Sequence, residues 1–235
     1  MKRVVIGALA SLVIAGAAQA EDMFCKGAAA SPADLMVVQA VITPDGASKG
    51  GMATFWLDGR RKDVAVSLLI HYDLKGAKGD IEPPTRMTVF SRDPATSGAA
   101  WAIVTIGGVE FKGRWKDMKA PATGGTADIP GVVKAMVAAE ATGVEITISI
   151  NDKSGKTVAS GKISLPTQAE AEGAAGAAFT SAATASATKN LKLCTVMAAN
   201  VNEGEFMRTM HDNDFGMENK AAMMLQQPGP AGGPR

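Results

Sequence analysis

The chain has 235 residues, with 24 Lys and Arg against 23 Asp and Glu, for a formal net charge of +1. That balance, without a basic block, argues against nucleic acid as the main partner. Hydrophobic residues make up 46% of the chain but aromatics only 5%, so Val, Ile, Leu, Ala and Met must fill the core of a single domain of this length.

The start reads MKRVVIGALASLVIAGAAQA. Lys2 and Arg3 form a basic leader, Val4 to Ala17 is an uncharged apolar run, and Ala18-Gln19-Ala20 supplies a small-x-small cleavage site. Residues 1–20 are therefore expected to be a secretory signal peptide. The apolar run is short for a membrane span, which takes about 20 residues. The mature chain is expected to begin near Glu21, to carry no transmembrane segment and to be periplasmic or secreted. Without Lys2 and Arg3 it holds 22 basic residues against 23 acidic ones.

Two cysteines, Cys25 and Cys194, are present, with no C-x-x-C spacing. In an oxidising compartment such a pair is expected to form one disulfide. Closing so long a loop is worth about 4–5 kcal/mol in the chain-entropy account.

From Leu35 onward the pattern favours strands. DLMVVQAVI (34–42), MATFWL (52–57) and DVAVSLLIHYDL (63–74) are rich in β-branched and aromatic residues, with turn-forming stretches between them. PTRMTVFSRD, AAWAIVTI and VEFKGRW follow, and Gly107-Gly108 is the expected hairpin turn between the last two. Val109, Phe111, Gly113 and Trp115 alternate with charged residues, the period of a half-buried strand. Asp128 is expected to cap a helix over IPGVVKAMVAAEATG that ends at Gly143, with Val133, Met136, Val137 and Glu140 at helical spacing. VEITISINDKSGKTVASGKISL is the clearest hairpin. The small-residue stretch from Thr167 reads either as a helix to about Thr180, weakened by Gly173 and Gly176, or as a loose surface segment. LKLCTVMAANV is expected to be a closing strand. The sum is a mainly β domain over residues 21–200, an antiparallel β-sandwich with one or two packed helices. Residues 201–235 are expected to form a helical segment and a disordered tail.

No catalytic motif emerges. There is no G-x-S-x-G, and only His71 and His211 could serve a hydrolase. His71 falls in mid-strand, where it is expected to be a hydrogen-bonded strand residue on the face opposite Tyr72. SATK (Ser186–Lys189) lacks the S-D-N and K-T-G elements that accompany that spacing in penicillin-recognising enzymes. Near the end, Asp212, Asp214 and Glu218 superficially suggest a calcium loop, but Gly216 stands where an oxygen donor is required. The same stretch offers a softer set, Met207, Met210, His211 and Met217, whose thioether and imidazole donors suit copper. The alternative is that these methionines fill contacts of a short docking helix.

The middle of the chain, from Met87 to Ala183, resembles the invasion-associated locus B family of alphaproteobacterial envelope proteins. The resemblance rests on DIPGVVKAMVAAEATGVEITISINDKSGKTVASGKISL followed by a small-residue segment containing AFTSA. That family usually has more cysteines, one of them soon after an early tryptophan, and none lies near Trp56. The resemblance implies a secreted or periplasmic β-sandwich linked to envelope function or host contact, not catalysis. The chain as a whole is expected to be an exported, non-enzymatic binding protein without a cofactor, its partner a protein or envelope component. The alternative is a periplasmic copper-binding protein using the Met/His segment.

Overall fold

In a computed structural model the chain is described over residues 21–197. The expected signal peptide (1–20), residues 198–200 and the expected helical segment and tail (201–235) lie outside the described residues. The strands are β1 (Met23–Ala30), β2 (Leu35–Ile42), β3 (Ser48–Leu57), β4 (Ser67–Lys75), β5 (Asp80–Ile81), β6 (Arg86–Ser91), β7 (Trp101–Ile106), β8 (Val109–Arg114), β9 (Lys116–Asp117), β10 (Gly125–Asp128), β11 (Glu145–Asn151), β12 (Thr157–Ser164) and β13 (Cys194–Val196). Helix α1 spans Val133–Glu140 and α2 spans Gln168–Ala187.

The strands form two antiparallel sheets. The larger runs β13-β1-β2-β3-β4-β6-β10-β9 with β5 appended to β4, and the smaller runs β12-β11-β7-β8. Side chains alternate across each strand, so one face of each sheet turns inward. Met36, Val38, Ala40 and Ile42 of β2 do so, as do Leu68, Ile70, Tyr72 and Leu74 of β4. They join Ala102 and Val104 of β7 and Ile146, Ile148 and Ile150 of β11 in one core. Gly161 sits across from Ile148, and a Cβ there would lie 2.5 Å from Val66 Cγ2, so the gap admits the side chain of Val66, the residue before β4.

Helix α2 closes the rest of the inner face. It is one 20-residue helix, longer than the sequence pattern suggests, and it starts at a reciprocal cap in which Thr167 and Glu170 bond each other's backbone N–H. Ala171, Ala175, Ala178, Ala182 and Ala185 are buried at helical spacing. An alanine face lets the helix lie directly on the sheet. A Cβ on Gly27 of β1 would come within 2.1 Å of the Ala178 carbonyl oxygen. The low-complexity stretch is thus a close-packing device, and Gly173 and Gly176 are tolerated away from the contact, where nothing lies within 4 Å.

Cys25 and Cys194 form the expected disulfide, with Cα atoms 4.1 Å apart and a sequence separation of 169. The two are cross-strand partners, so the bond fastens edge strand β13 to β1. Three details differ from the sequence reading. Strand β1, MFCKGAAA, has too many small residues to stand out by β-propensity, and it forms because β2 and β13 both pair with it. Asp128 does not cap α1: it ends β10 and accepts a 2.7 Å hydrogen bond from Thr88 Oγ1, while the cap position of α1 is Val132, which makes no side-chain cap. Val109 is 55% exposed at the hairpin tip, while Gly113 of β8 and Trp115 just after the strand are buried.

Candidate functional site: a groove at the disulfide end

Three places in the described residues concentrate polar chemistry. The first is a buried pair on the inner side. Tyr72 Oη donates a 2.5 Å hydrogen bond to Glu140 Oε1, joining β4 to the end of α1. Burial pushes the Glu140 carboxyl up to about 7, against the smaller opposing effect of the Tyr72 hydrogen bond. Burial, and then the neighbouring carboxylate, pushes the Tyr72 phenol well above its ordinary value. The adjoining cavity, bounded by Ile81, Pro83, Pro84 and Val137, measures about 40 Å³. That is room for a water molecule and not for a substrate.

The second place is on the outer face of the large sheet. His71 Nδ1 lies 3.3 Å from Thr54 Oγ1 and its Nε2 3.3 Å from Thr88 Oγ1 and 3.4 Å from Arg86 Nη2. His71 is 1% exposed. It is a hydrogen-bonded strand histidine on the face opposite Tyr72, as the alternation requires. Further along the same face Trp56 donates from Nε1 to Ser67 Oγ at 2.9 Å, meets Phe90 edge-on, and carries the Arg92 guanidinium 4.9 Å above its ring.

The third place is a groove of about 660 Å³ between the C-terminal end of α2 and the β1/β13 edge. Its size is that of a ligand or peptide site. Buried Met23 and exposed Leu191 and Val196 all line it, with Ala183 and Ala187 of α2 along one side. Its charged groups are Glu21, Asp45 and Lys189. The Thr43 hydroxyl and the Ala47 backbone N–H hold the Asp45 carboxyl below the usual range, so it stays ionised at the rim. Lys189 takes a left-handed backbone, φ 49°, which ends α2 and turns the chain toward Leu191. An apolar channel with charges at its mouth can hold an extended apolar segment and fix its direction.

The structure brings together Cys25 and Cys194. The soft-metal set Met207, Met210, His211 and Met217 lies outside the described residues. Among the described residues no group of three or more His, Cys, Asp or Glu could hold a metal ion. Ser186 and Lys189 of SATK both line the groove. Sequence reasoning placed Glu140 on an apolar helix face, and a carboxylate at such a position is the signal for the Tyr72 pair. The groove had no comparable signal, because Leu191 is set at its edge by the turn after α2. Comparison with protein-family models, with curated proteins and with solved structures finds no match to this chain.

Proposed function

We propose that the protein is an exported, non-enzymatic binding protein of the bacterial envelope, periplasmic or secreted, whose groove at the disulfide end takes an apolar segment of a protein or other envelope component. The observation that carries this reading is a separation. The strongly perturbed acid–base pair, Tyr72 and Glu140, faces a cavity too small for a substrate, while the roomy groove is lined mainly by Met23, Leu191, Val196 and the alanines of α2. Catalytic sites place perturbed groups in the cleft that receives substrate; here the two are apart. Exposed Leu191 and Val196 beside an apolar channel have the character of an interaction surface. No helix among the described residues is long and apolar enough to cross a membrane. The leader over residues 1–20, the disulfide and the resemblance to the invasion-associated locus B family agree with export.

Photo-crosslinking in the producing cell tests this. The full chain carrying Leu191→p-benzoylphenylalanine should yield a discrete adduct in the envelope fraction, and Val196→Asp with Ala187→Asp should abolish it. The released protein should begin at Glu21. Retention in the cytoplasm, or an adduct that the two aspartates leave unchanged, would overturn the proposal.

A further inference from the structure

Patches of the outer face of the nine-stranded sheet are buried while Lys26, Val37 and Thr54 between them are half-buried, yet no helix or strand among the described residues packs on it. Both helices and the smaller sheet contribute to the core on the other side. Among the described residues the turn at Gly59 and the loop bearing Met118 reach over this face, and both do so at its Trp56 end. At the other end Phe24, Val41 and Met52 occupy register positions on neighbouring strands, and all three are buried. Gln39 and Thr88 between and beyond them are buried too. A sheet face open to water leaves such residues partly exposed, because adjacent strands cover only the sides of a side chain and not its tip.

We propose that this face is the docking surface for the chain's own C-terminal segment, residues 203–225. The chain reaches Met197 at the right place: its N–H donates to the Asp22 carbonyl at 2.9 Å, at the end of β1 beside Phe24. From β13 to β6 is five strand spacings, about 24 Å, which a helix covers in about 16 residues. Residues 198–235 are long enough for that path. The composition also fits. Phe206, Met207, Met210 and Phe215 supply large, adaptable apolar groups for the Phe24–Val41–Met52 end. Glu203, Glu205, Asp212, Asp214 and Glu218 outnumber Arg208 and Lys220 in the segment. On the outer face Arg86 pairs with Asp128 at 3.9 Å, and Lys26 and Lys116 stand against Asp73 by register. The groove of the proposed function lies on the other side of the sheet and this inference does not depend on it.

The test uses the full mature chain and, in parallel, its uncleaved precursor, each with Thr54→p-benzoylphenylalanine, a half-buried position in the middle of the outer face. Irradiation should give a monomeric adduct whose crosslinked peptide maps within 203–225. A dimeric adduct would assign the face to a second copy, and an adduct to residues 1–20 in uncleaved precursor would assign it to the leader; either overturns the proposal, as does the absence of any adduct. A second measurement guards against a poorly placed probe. In the full chain, Phe206→Asp with Phe215→Asp should raise anilinonaphthalene sulfonate fluorescence several-fold at unchanged far-ultraviolet circular dichroism, and Phe206→Leu should not. Unchanged fluorescence in the double aspartate variant would overturn the docking.

Discussion

The two faces of the large sheet are made by alternate residues of the same strands and follow different chemistry. In β4, Leu68, Ile70, Tyr72 and Leu74 point inward, and Ser67, Leu69, His71 and Asp73 point outward. The inner face is apolar and filled by the second sheet and by α2, and the carboxylate buried there, Glu140, arrives from a helix. The outer face is a mosaic: an aromatic end with Arg92, a hydrogen-bonded band around His71, and an apolar end at Phe24. Uniform apolar packing tolerates few changes of volume. A mosaic held by directional contacts loses them one at a time. The inner face should therefore answer substitution with larger losses than the outer face.

The largest effect is expected at Gly27. An added methyl group would overlap the Ala178 carbonyl oxygen, and neither the strand nor the helix backbone can give way without opening the alanine seam. Gly27→Ala should cost about 3 kcal/mol or more in urea unfolding. Gly173 on the same helix has nothing within 4 Å, and Gly173→Ala should stabilise by about 0.5–1 kcal/mol. Equal effects at the two sites would mean that the helix does not lie against β1 as described.

Gly27 also shows where sequence reading stops. The strands from β2 onward are legible because alternation and turn residues are local signals, and the Ile146–Ile148–Ile150 hairpin is the plainest case. Strand β1 carries no such signal: a glycine followed by three alanines is held as a strand by pairing with β2 and β13, and its residues are small because α2 lies close to it. The alanine stretch 171–185 is ambiguous for the same reason, since its partner is distant in sequence. Asp128 misleads because an acidic residue before an apolar run reads as a cap, whereas Thr88 on a neighbouring strand claims it. Of the site, the disulfide follows from counting cysteines, but the groove depends on how β13 and α2 end side by side.

A middle-sized effect is expected at the inner face's buried carboxylate and depends on pH. The folded state holds the Glu140 carboxyl at about 7, above its ordinary 4.5. The folded protein therefore binds this proton more tightly than the unfolded chain does. The resulting stabilisation is complete below about pH 4.5 and is lost as pH rises through about 7. A displacement of this size corresponds to at most about 3 kcal/mol. Glu140→Gln keeps an oxygen for the Tyr72 hydroxyl and removes the titration. The difference in melting temperature between Gln variant and wild type should grow from pH 5 to pH 8, in favour of the variant. A constant difference would show that Glu140 meets water in the folded state.

The smallest effect is expected on the outer face at Arg92. Its guanidinium lies 4.9 Å from the Trp56 ring centre and 5.6 Å from that of Phe90, and its Nη2 reaches the Gly59 carbonyl at 3.5 Å. Burial lowers its pKa, the expected direction for a cation that exchanges water for aromatic faces. Cation–π contacts are worth about 0.5–2 kcal/mol depending on desolvation, so Arg92→Ala should cost about 1 kcal/mol. Arg92→Lys retains the charge and loses the planar stack, and should recover only part of that loss. Tryptophan emission should redden in Arg92→Ala as water reaches the Trp56 ring, with Trp56→Phe as the reference that removes the signal. The Trp56–Ser67 hydrogen bond and the Phe90 contact remain when Arg92 is removed, which is why the loss stays local. A loss as large as that of Gly27→Ala would mean that the aromatic end is part of the main core, and the division between the two faces would fall.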